Sequence, residues 1–217
     1  MTSTFLQELK RGAGGPGPQL CLPVGQPPRA LLRPVAVSST RLSATDVDHL
    51  TNWRNRFVGA FLTRFESTPA RTRRWLSDYV ANDDTRVLFM TDLPTGETIG
   101  YIGLAYIDWA ARRGEADAVV RGGDAPKGLM TDCLRTLLGW GVNQLALRSI
   151  GVRVLSSNPA LDFYRKFGFE ECRRVPLTRA DRNGDEVWVE NESAVSDLTL
   201  VHMNLRTDVV NDLSKLP

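Results

Sequence analysis

Ser156-Ser157-Asn158-Pro159-Ala160-Leu161-Asp162-Phe163-Tyr164-Arg165-Lys166-Phe167-Gly168-Phe169 is the stretch on which the reading of this chain turns. Residues 149–155, just before it, read as a buried strand. Asn158-Pro159 then supplies a capping side chain and a proline at a helix start, and Gly168 stands where the helix ends. Beyond it, residues 171–177, 186–190 and 198–205 read as strands, with Asp181-Arg182-Asn183-Gly184 as a hairpin turn.

Working back along the chain, Gly122-Gly123-Asp124-Ala125-Pro126-Lys127-Gly128 is a glycine-bearing loop between a strand at residues 115–121 and the longest helix. On that helix Met130, Cys133, Leu134, Leu137, Leu138, Gly141 and Leu145 share a face. Residues 86–92 and 98–108 are apolar, β-branched and aromatic runs joined through Pro94-Thr95-Gly96, which is hairpin punctuation. Upstream, residues 31–37 read as a first strand. Ser43 and Thr45 are N-cap candidates for a helix with Val47, Leu50, Trp53, Phe57 and Phe61 at helical spacing. Thr68-Pro69 starts another helix, expected to bury Trp75, Leu76, Tyr79 and Val80. The order β, α, α, βββ, α, β, α, β(β)β predicts one mixed α/β (α+β) domain around a central sheet.

Composition bounds the rest. With 217 residues, 42% of them hydrophobic, and a formal net charge of +2, the chain can bury one sizeable core. Residues 1–30 stand apart, because Gly12-Ala13-Gly14-Gly15-Pro16-Gly17-Pro18 and the prolines from Pro23 to Pro28 hold neither a helix nor a central strand. They are expected to be a flexible tail, with one helical turn at residues 5–11 and with docking of Leu20-Cys21-Leu22 as the alternative. The domain is expected at 31–207 and a C-terminal tail at 208–217. Cys21, Cys133 and Cys172 are few, scattered and odd in number, so neither a disulfide framework nor a metal site is expected. No apolar run approaches the roughly 20 residues that cross a bilayer, and no signal peptide is visible, so a cytoplasmic protein without membrane contact is expected. Nothing marks a nucleic-acid binder. Lys10, Lys127, Lys166 and Lys215 are the only lysines, so 23 of the 27 basic residues are arginine, whose fork suits phosphates and carboxylates.

A helix beginning near Lys127 leaves its first amides unpaired, and with the helix dipole they suit a phosphate or pyrophosphate. Lys127-Gly128-Leu129-Met130 would donate main-chain N–H groups, with Lys127 and Arg121 as countercharge. The loop is neither a Walker loop nor the dinucleotide fingerprint, because its glycines are placed differently.

The segment quoted first is similar to the hallmark of the GCN5-related N-acetyltransferases (GNAT), in which a helix carrying Ala…Phe-Tyr-x-Lys-x-Gly-Phe follows a strand. Pro126-Lys127-Gly128-Leu129-Met130 falls where that family's acetyl-CoA pyrophosphate loop belongs, and the order of elements from 31 to 206 follows the family. The loop departs from the family's Gln/Arg-x-x-Gly-x-Gly/Ala: those positions hold Ala125, Gly128 and Met130, and Pro126 removes one donor. The family's asparagine falls on Ser157, beside Asn158.

The resemblance implies a single GNAT-like domain with a mixed, mostly antiparallel sheet flanked by helices and strands splayed at the acyl-CoA site. It implies an acyl-CoA N-acyltransferase, using acetyl-CoA or another acyl-CoA as co-substrate and no metal, with direct attack by the amine in a ternary complex. Val119 or Val120 would donate to the developing oxyanion. Arg121, Lys127, Gly128, Leu129, Met130, Thr131, Ser157, Asn158, Tyr164 and Lys166 would contact the cofactor, and Tyr164 matches the tyrosine that protonates the CoA sulfur. For the base that deprotonates the amine, Glu115 and Asp117 alternate onto one face of the strand leading to the site, and His202 on the last strand is the rival. Trp53-Arg54-Asn55 resembles a segment of family members that acetylate nucleotide-linked amino sugars. The expected acceptor is thus a small-molecule amine, first an amino sugar or nucleotide amino sugar of secondary-metabolite (antibiotic) or glycan biosynthesis. A protein N-terminal or lysine acetyltransferase and a non-catalytic acyl-CoA-binding module are the alternatives. The hairpin around residues 183–191 makes a homodimer possible.

Overall fold

Val87-Leu88-Phe89-Met90 carries no polar alternation, and in the computed structural model it lies in β4 (Val87–Asp92), a strand covered on both faces. Val87 and Phe89 pack into one hydrophobic layer and Leu88 and Met90 into the other. The structure describes residues 3–17 and 19–215. Met1, Thr2, Pro18, Leu216 and Pro217, which belong to the two expected tails, lie outside the described residues.

β4 continues through the expected hairpin into β5 (Thr98–Asp108) and then β6 (Arg113–Arg121). From β6 the chain crosses over through α4 (Leu129–Gln144) to β7 (Ser149–Leu155), which runs parallel to β6 as a helical crossover requires. α5 (Ala160–Phe167) follows, then β8 (Phe169–Arg182), β9 (Asp185–Glu190) and β10 (Thr199–Leu205). β10 inserts antiparallel between β7 and β8. With β1 (Leu22–Val24), β2 (Ala30–Pro34) and the two-residue β3 (Thr63–Arg64), ten strands stand in the order β1-β2-β4-β5-β6-β7-β10-β8-β9-β3. Among the described residues β6–β7 is the single parallel pair.

Two helical layers cover this sheet. One holds α4 and α5. The other is α2 (Ala44–Arg56), capped by Ser43 as expected, together with α3 (Pro69–Arg74), capped by Thr68. α3 runs on into a π-helical turn at Trp75–Val80. The wider turn buries Leu76 and Val80 but rotates Tyr79 outward to 54% exposure, against the expectation that Tyr79 is buried.

The tail boundaries also differ from expectation. Residues 3–12 form α1 (Ser3–Gly12), whose Leu6 is fully buried and whose Phe5 and Leu9 join the α4 layer. Lys10 is 2% exposed and donates to the carbonyls of Val80 at 2.9 Å and Asp83 at 2.6 Å. Past the glycine and proline run, β1 pairs with β2. At the other end α6 (Thr207–Leu213) buries Val210 and Leu213. In both segments an apolar stripe finds the core, and that burial outweighs weak local propensity. The β8–β9 hairpin is tied back to its own chain: β9 pairs with β3, Asp185 meets Arg71, and Glu186 lies 3.3 Å from Arg64.

Candidate functional site

The parallel register between β6 and β7 stops at Glu115 opposite Gly151, although β6 runs on to Arg121 and β7 to Leu155. Past that point the two strands splay. On its other side β6 carries a bulge: Asp117 pairs with Gly103 and Val120 with Tyr101, so Ala118 and Val119 together stand opposite Ile102. Ala118 takes the left-handed φ of 54°. A regular strand sends neighbours to opposite faces. Here Asp117 and Ala118 both line one cavity, while Ala116 and Val119 pack toward α4.

That cavity, of about 380 Å³, lies between α2, α3 and the splayed part of the sheet. Tyr101 and Asp117 form part of its floor, and Arg54, Phe61, Phe65, Arg71, Trp75 and Arg86 surround it. Arg86, 8% exposed, is held between Asp83 and Asp117. Burial works against its charge, but Asp117 and then Tyr106 and Asp83 outweigh it and hold the guanidinium pKa above its ordinary value. Arg54 lies over Phe61 at 4.0 Å and Phe65 at 4.5 Å, and Arg71 covers Phe65 at 3.5 Å. Burial, reinforced by Arg71, lowers the Arg54 pKa. Burial drives the Tyr101 phenol upward.

Tyr164 of α5 is 6% exposed, within the layer that faces α4. Its ring meets Phe163 and Phe169 edge-on at 5.3 and 5.6 Å. Burial raises its pKa and the Asp117 charge raises it further, which puts the phenol within electrostatic reach of the bulge. It therefore stays protonated at neutral pH.

At the end of β6 the chain turns through the loop into α4. Gly128 caps that helix with φ of 83°, a conformation that suits glycine, and it is exposed with nothing within 4 Å of where a Cβ would stand. The Leu129 amide bonds the Pro126 carbonyl and the Asp132 amide that of Gly128. Among the described residues the amides of Gly128, Met130 and Thr131 meet no carbonyl, so the donors differ from expectation: the Leu129 amide is already used. Lys127 and Arg121 are exposed. Arg29, which the sequence did not single out, reaches this helix end from the β1–β2 turn, 2.6 Å from Asp132 and 3.3 Å from the Lys127 carbonyl.

The other expected site residues divide. Ser157 and Lys166 are exposed beside α5, and Asn158, just before the N-cap Pro159, accepts from the Ala160 amide at 2.9 Å. Glu115 is tied to Arg153 at 2.7 Å and His202 to Glu190 at 3.0 Å, and neither lines the cavity; Asp117 does. The base candidate that the geometry brings to the bulge is thus Asp117. Of Trp53-Arg54-Asn55, Arg54 alone faces the cavity. Trp53 is 7% exposed and stacks on His49 at 4.8 Å. Asn55 is spent on the backbone of Ser67, giving to its carbonyl at 3.0 Å and taking from its amide at 2.7 Å. Helical periodicity explains this: one turn of α2 points only some of its residues at the cavity. The residues the sequence missed, Arg71, Arg86 and Arg29, come from loops and elements far apart in the chain, so no spacing signals them.

Among the described residues no group of side chains is arranged to hold a metal ion, and no helix is long and apolar enough to cross a membrane. No curated protein matches the chain by sequence. Among solved structures it is similar to the spermidine N-acetyltransferase of Vibrio cholerae in complex with CoA and spermine, at 16% identity over 84% of this chain and 98% of that chain, with a TM-score of 0.65. It is also similar to a dodecameric structure of the spermidine N-acetyltransferase from Vibrio cholerae, at 18% identity over 86% and 99% of the two chains and a TM-score of 0.61. A probable acetyltransferase (GNAT family) of Chromobacterium violaceum matches at 16% identity over 92% and 97%, with a TM-score of 0.65. At such identities the likeness is one of fold. The pattern of the acetyltransferase (GNAT) domain family matches residues 39–170, more than half of the sequence and the whole length from α2 to the Tyr164 helix. By that match, and with the splayed strands and helix terminus in the order the family requires, this chain belongs to the GNAT acetyltransferase family.

Proposed function

We propose that this N-acetyltransferase moves the acetyl group of acetyl-CoA onto the amine of a small molecule seated in the cavity between α2, α3 and β6. The observation that carries this reading is the bulge at Ala118, which turns Asp117 and Ala118 into the cavity at the point where β6 leaves β7. Backbone without a strand partner thus lies between the acceptor cavity and the open end of α4.

Acetyl-CoA supplies an activated acyl carbon. Its phosphates would be held by the amides of Gly128, Met130 and Thr131 with Arg29 and Lys127 as countercharge, a helix-terminus arrangement suited to anions. The Val119 amide, freed by the bulge, would donate to the carbonyl oxygen as negative charge develops there; Val120 is paired with Tyr101 in the sheet. Asp117 would accept the amine proton directly or through water. The amine nitrogen then bonds to the acyl carbon, the carbon–sulfur bond breaks, and the Tyr164 hydroxyl gives its proton to the departing thiolate.

An amino sugar is one acceptor that this lining suits, its ring set against Phe61, Phe65 or Trp75. A polyamine, named in the Vibrio cholerae complex, is the second reading. Purified protein given acetyl-CoA and a panel of amines and peptides, with free thiol followed, tests the proposal. Thiol release that requires an amine supports it. Acetyl-CoA binding with no thiol release across the panel would sink it in favour of a binding module.

A further inference from the structure

The cavity has an uneven charge. Arg54, Arg71 and Arg86 bring three guanidinium groups to its lining, and Asp117 is the one carboxylate there. Arg86 has two carboxylate partners, Asp83 and Asp117, and Arg71 has Asp185. Arg54 has none. Its Nη2 donates to the carbonyl and hydroxyl of Thr63, and its Nη1 is buried without a hydrogen-bond partner. Phe61 and Phe65 hold the guanidinium plane in place, and Arg71 lies on Phe65 as well, so the two cations share one aromatic support. A half-buried positive charge without an ion pair is costly. An anion delivered by a ligand would relieve it, and an arginine fork is suited to a carboxylate or phosphate. Asp117 lies on the sheet floor and Arg54 on α2, so the cavity presents a proton acceptor on one wall and a cation on another.

We infer that the acceptor is a primary amine that also carries one anionic group, a carboxylate or a phosphate, taken by Arg54 with Arg71 while the amine is directed to Asp117. This rests on the acetyl-transfer reading above and narrows it. The same arrangement disfavours a polyamine, because a second ammonium would meet Arg54 and Arg71 where the one nearby carboxylate, Asp185, is already paired with Arg71. Repulsion of this kind selects between substrates as strongly as attraction does.

The test uses matched pairs under one set of conditions: glucosamine against glucosamine 6-phosphate, phenylalanine amide against phenylalanine, and spermidine alone. Thiol release is read as kcat/KM at low and high salt. The expected result is at least a tenfold preference for the anionic member of one pair, reduced by salt, with spermidine below both. The phosphate and carboxylate pairs separate the two sources of anion. In Arg54→Gln the preference ratio falls toward one, while acetyl-CoA affinity and the melting temperature show that the protein is folded. Arg71→Gln gives the same readout should Arg54→Gln not fold. Faster turnover of spermidine or of the neutral members overturns the inference and leaves acetyl transfer standing. Absence of thiol release with every amine overturns both.

Discussion

Gly122→Ala tests how the β6–α4 loop and α2 are joined. A Cβ at residue 122 would stand 1.9 Å from Trp53 Cε2, 2.2 Å from Nε1 and 2.3 Å from Cδ2. Ordinary contact begins near 3.4 Å, so the indole and this backbone must part by more than an ångström. His49 stacks on the indole at 4.8 Å and Tyr101 lies nearly parallel at 6.1 Å, which opposes movement along the ring normal. The Gly122 and Gly123 amides both bond the Ile99 carbonyl, which holds the loop as well. Overpacking of this sort costs about 1–3 kcal/mol, and with both sides held the upper half of that range is expected. For a domain of this size each kcal/mol lowers Tm by about 2–4 °C, so Gly122→Ala should melt roughly 5–10 °C below the wild type. Trp53→Ala removes the indole atoms nearest the added methyl. The double variant should therefore lose less stability than the two single variants together, with a coupling of about 1 kcal/mol or more. Thermal melts and denaturant titrations of the four proteins complete the cycle. A Gly122→Ala protein melting within about 2 °C of the wild type, or strictly additive losses, would refute the packing role assigned to Trp53.

Tyr164→Phe keeps the ring contacts with Phe163 and Phe169, and among the described residues its hydroxyl has no hydrogen bond to lose, so stability should change by less than about 1 kcal/mol. Its kcat should fall by about 10²–10⁴ with little change in acetyl-CoA affinity; collapsed binding with unimpaired turnover of the bound enzyme would remove the acid role. Because burial raises the Tyr164 pKa above its ordinary value of 10.0, this acid should remain protonated, and no alkaline loss of activity below that pH should trace to it in a comparison of wild-type and Phe profiles. Arg29→Ala should raise the KM for acetyl-CoA severalfold and weaken its salt dependence without changing kcat, as measured by steady-state kinetics at two ionic strengths. Lys10 has its pKa lowered, chiefly by burial, from 10.5. Between that lowered value and 10.5 the unfolded chain binds more protons than the folded one, so the stability of the wild type relative to Lys10→Met should rise with pH across that window. Denaturant titrations at a series of pH values would show a flat difference if Lys10 were solvated.

The meander, the helix after it and the Tyr164 helix were legible in the sequence because each is a local pattern: period, cap and turn residues act within a few positions. The acceptor side was read less well. Trp53-Arg54-Asn55 lies on one turn of helix, yet its three side chains have three different environments, since α2 presents only part of its surface to the cavity and the rest to Gly122 and Ser67. The same holds for Glu115 and Asp117. Alternation puts both on one face, but the bulge and the end of the β6–β7 register decide which one meets the cavity.

The residues 1–30 mark the same boundary from the other direction. Their glycine and proline content argues for a tail, and locally that argument is sound. Leu6 and Lys10 are buried all the same, because the surfaces they fill belong to α4 and to the end of the π-helical turn, elements more than sixty residues away. By itself the sequence determined the class of the fold and the family, both of which depend on short-range order. Only the tertiary structure decided the ends of the domain, the cationic cavity around Arg54 and the place of Asp117. Those depend on long-range contacts, in which burial energy gained at a distance overrides local preference.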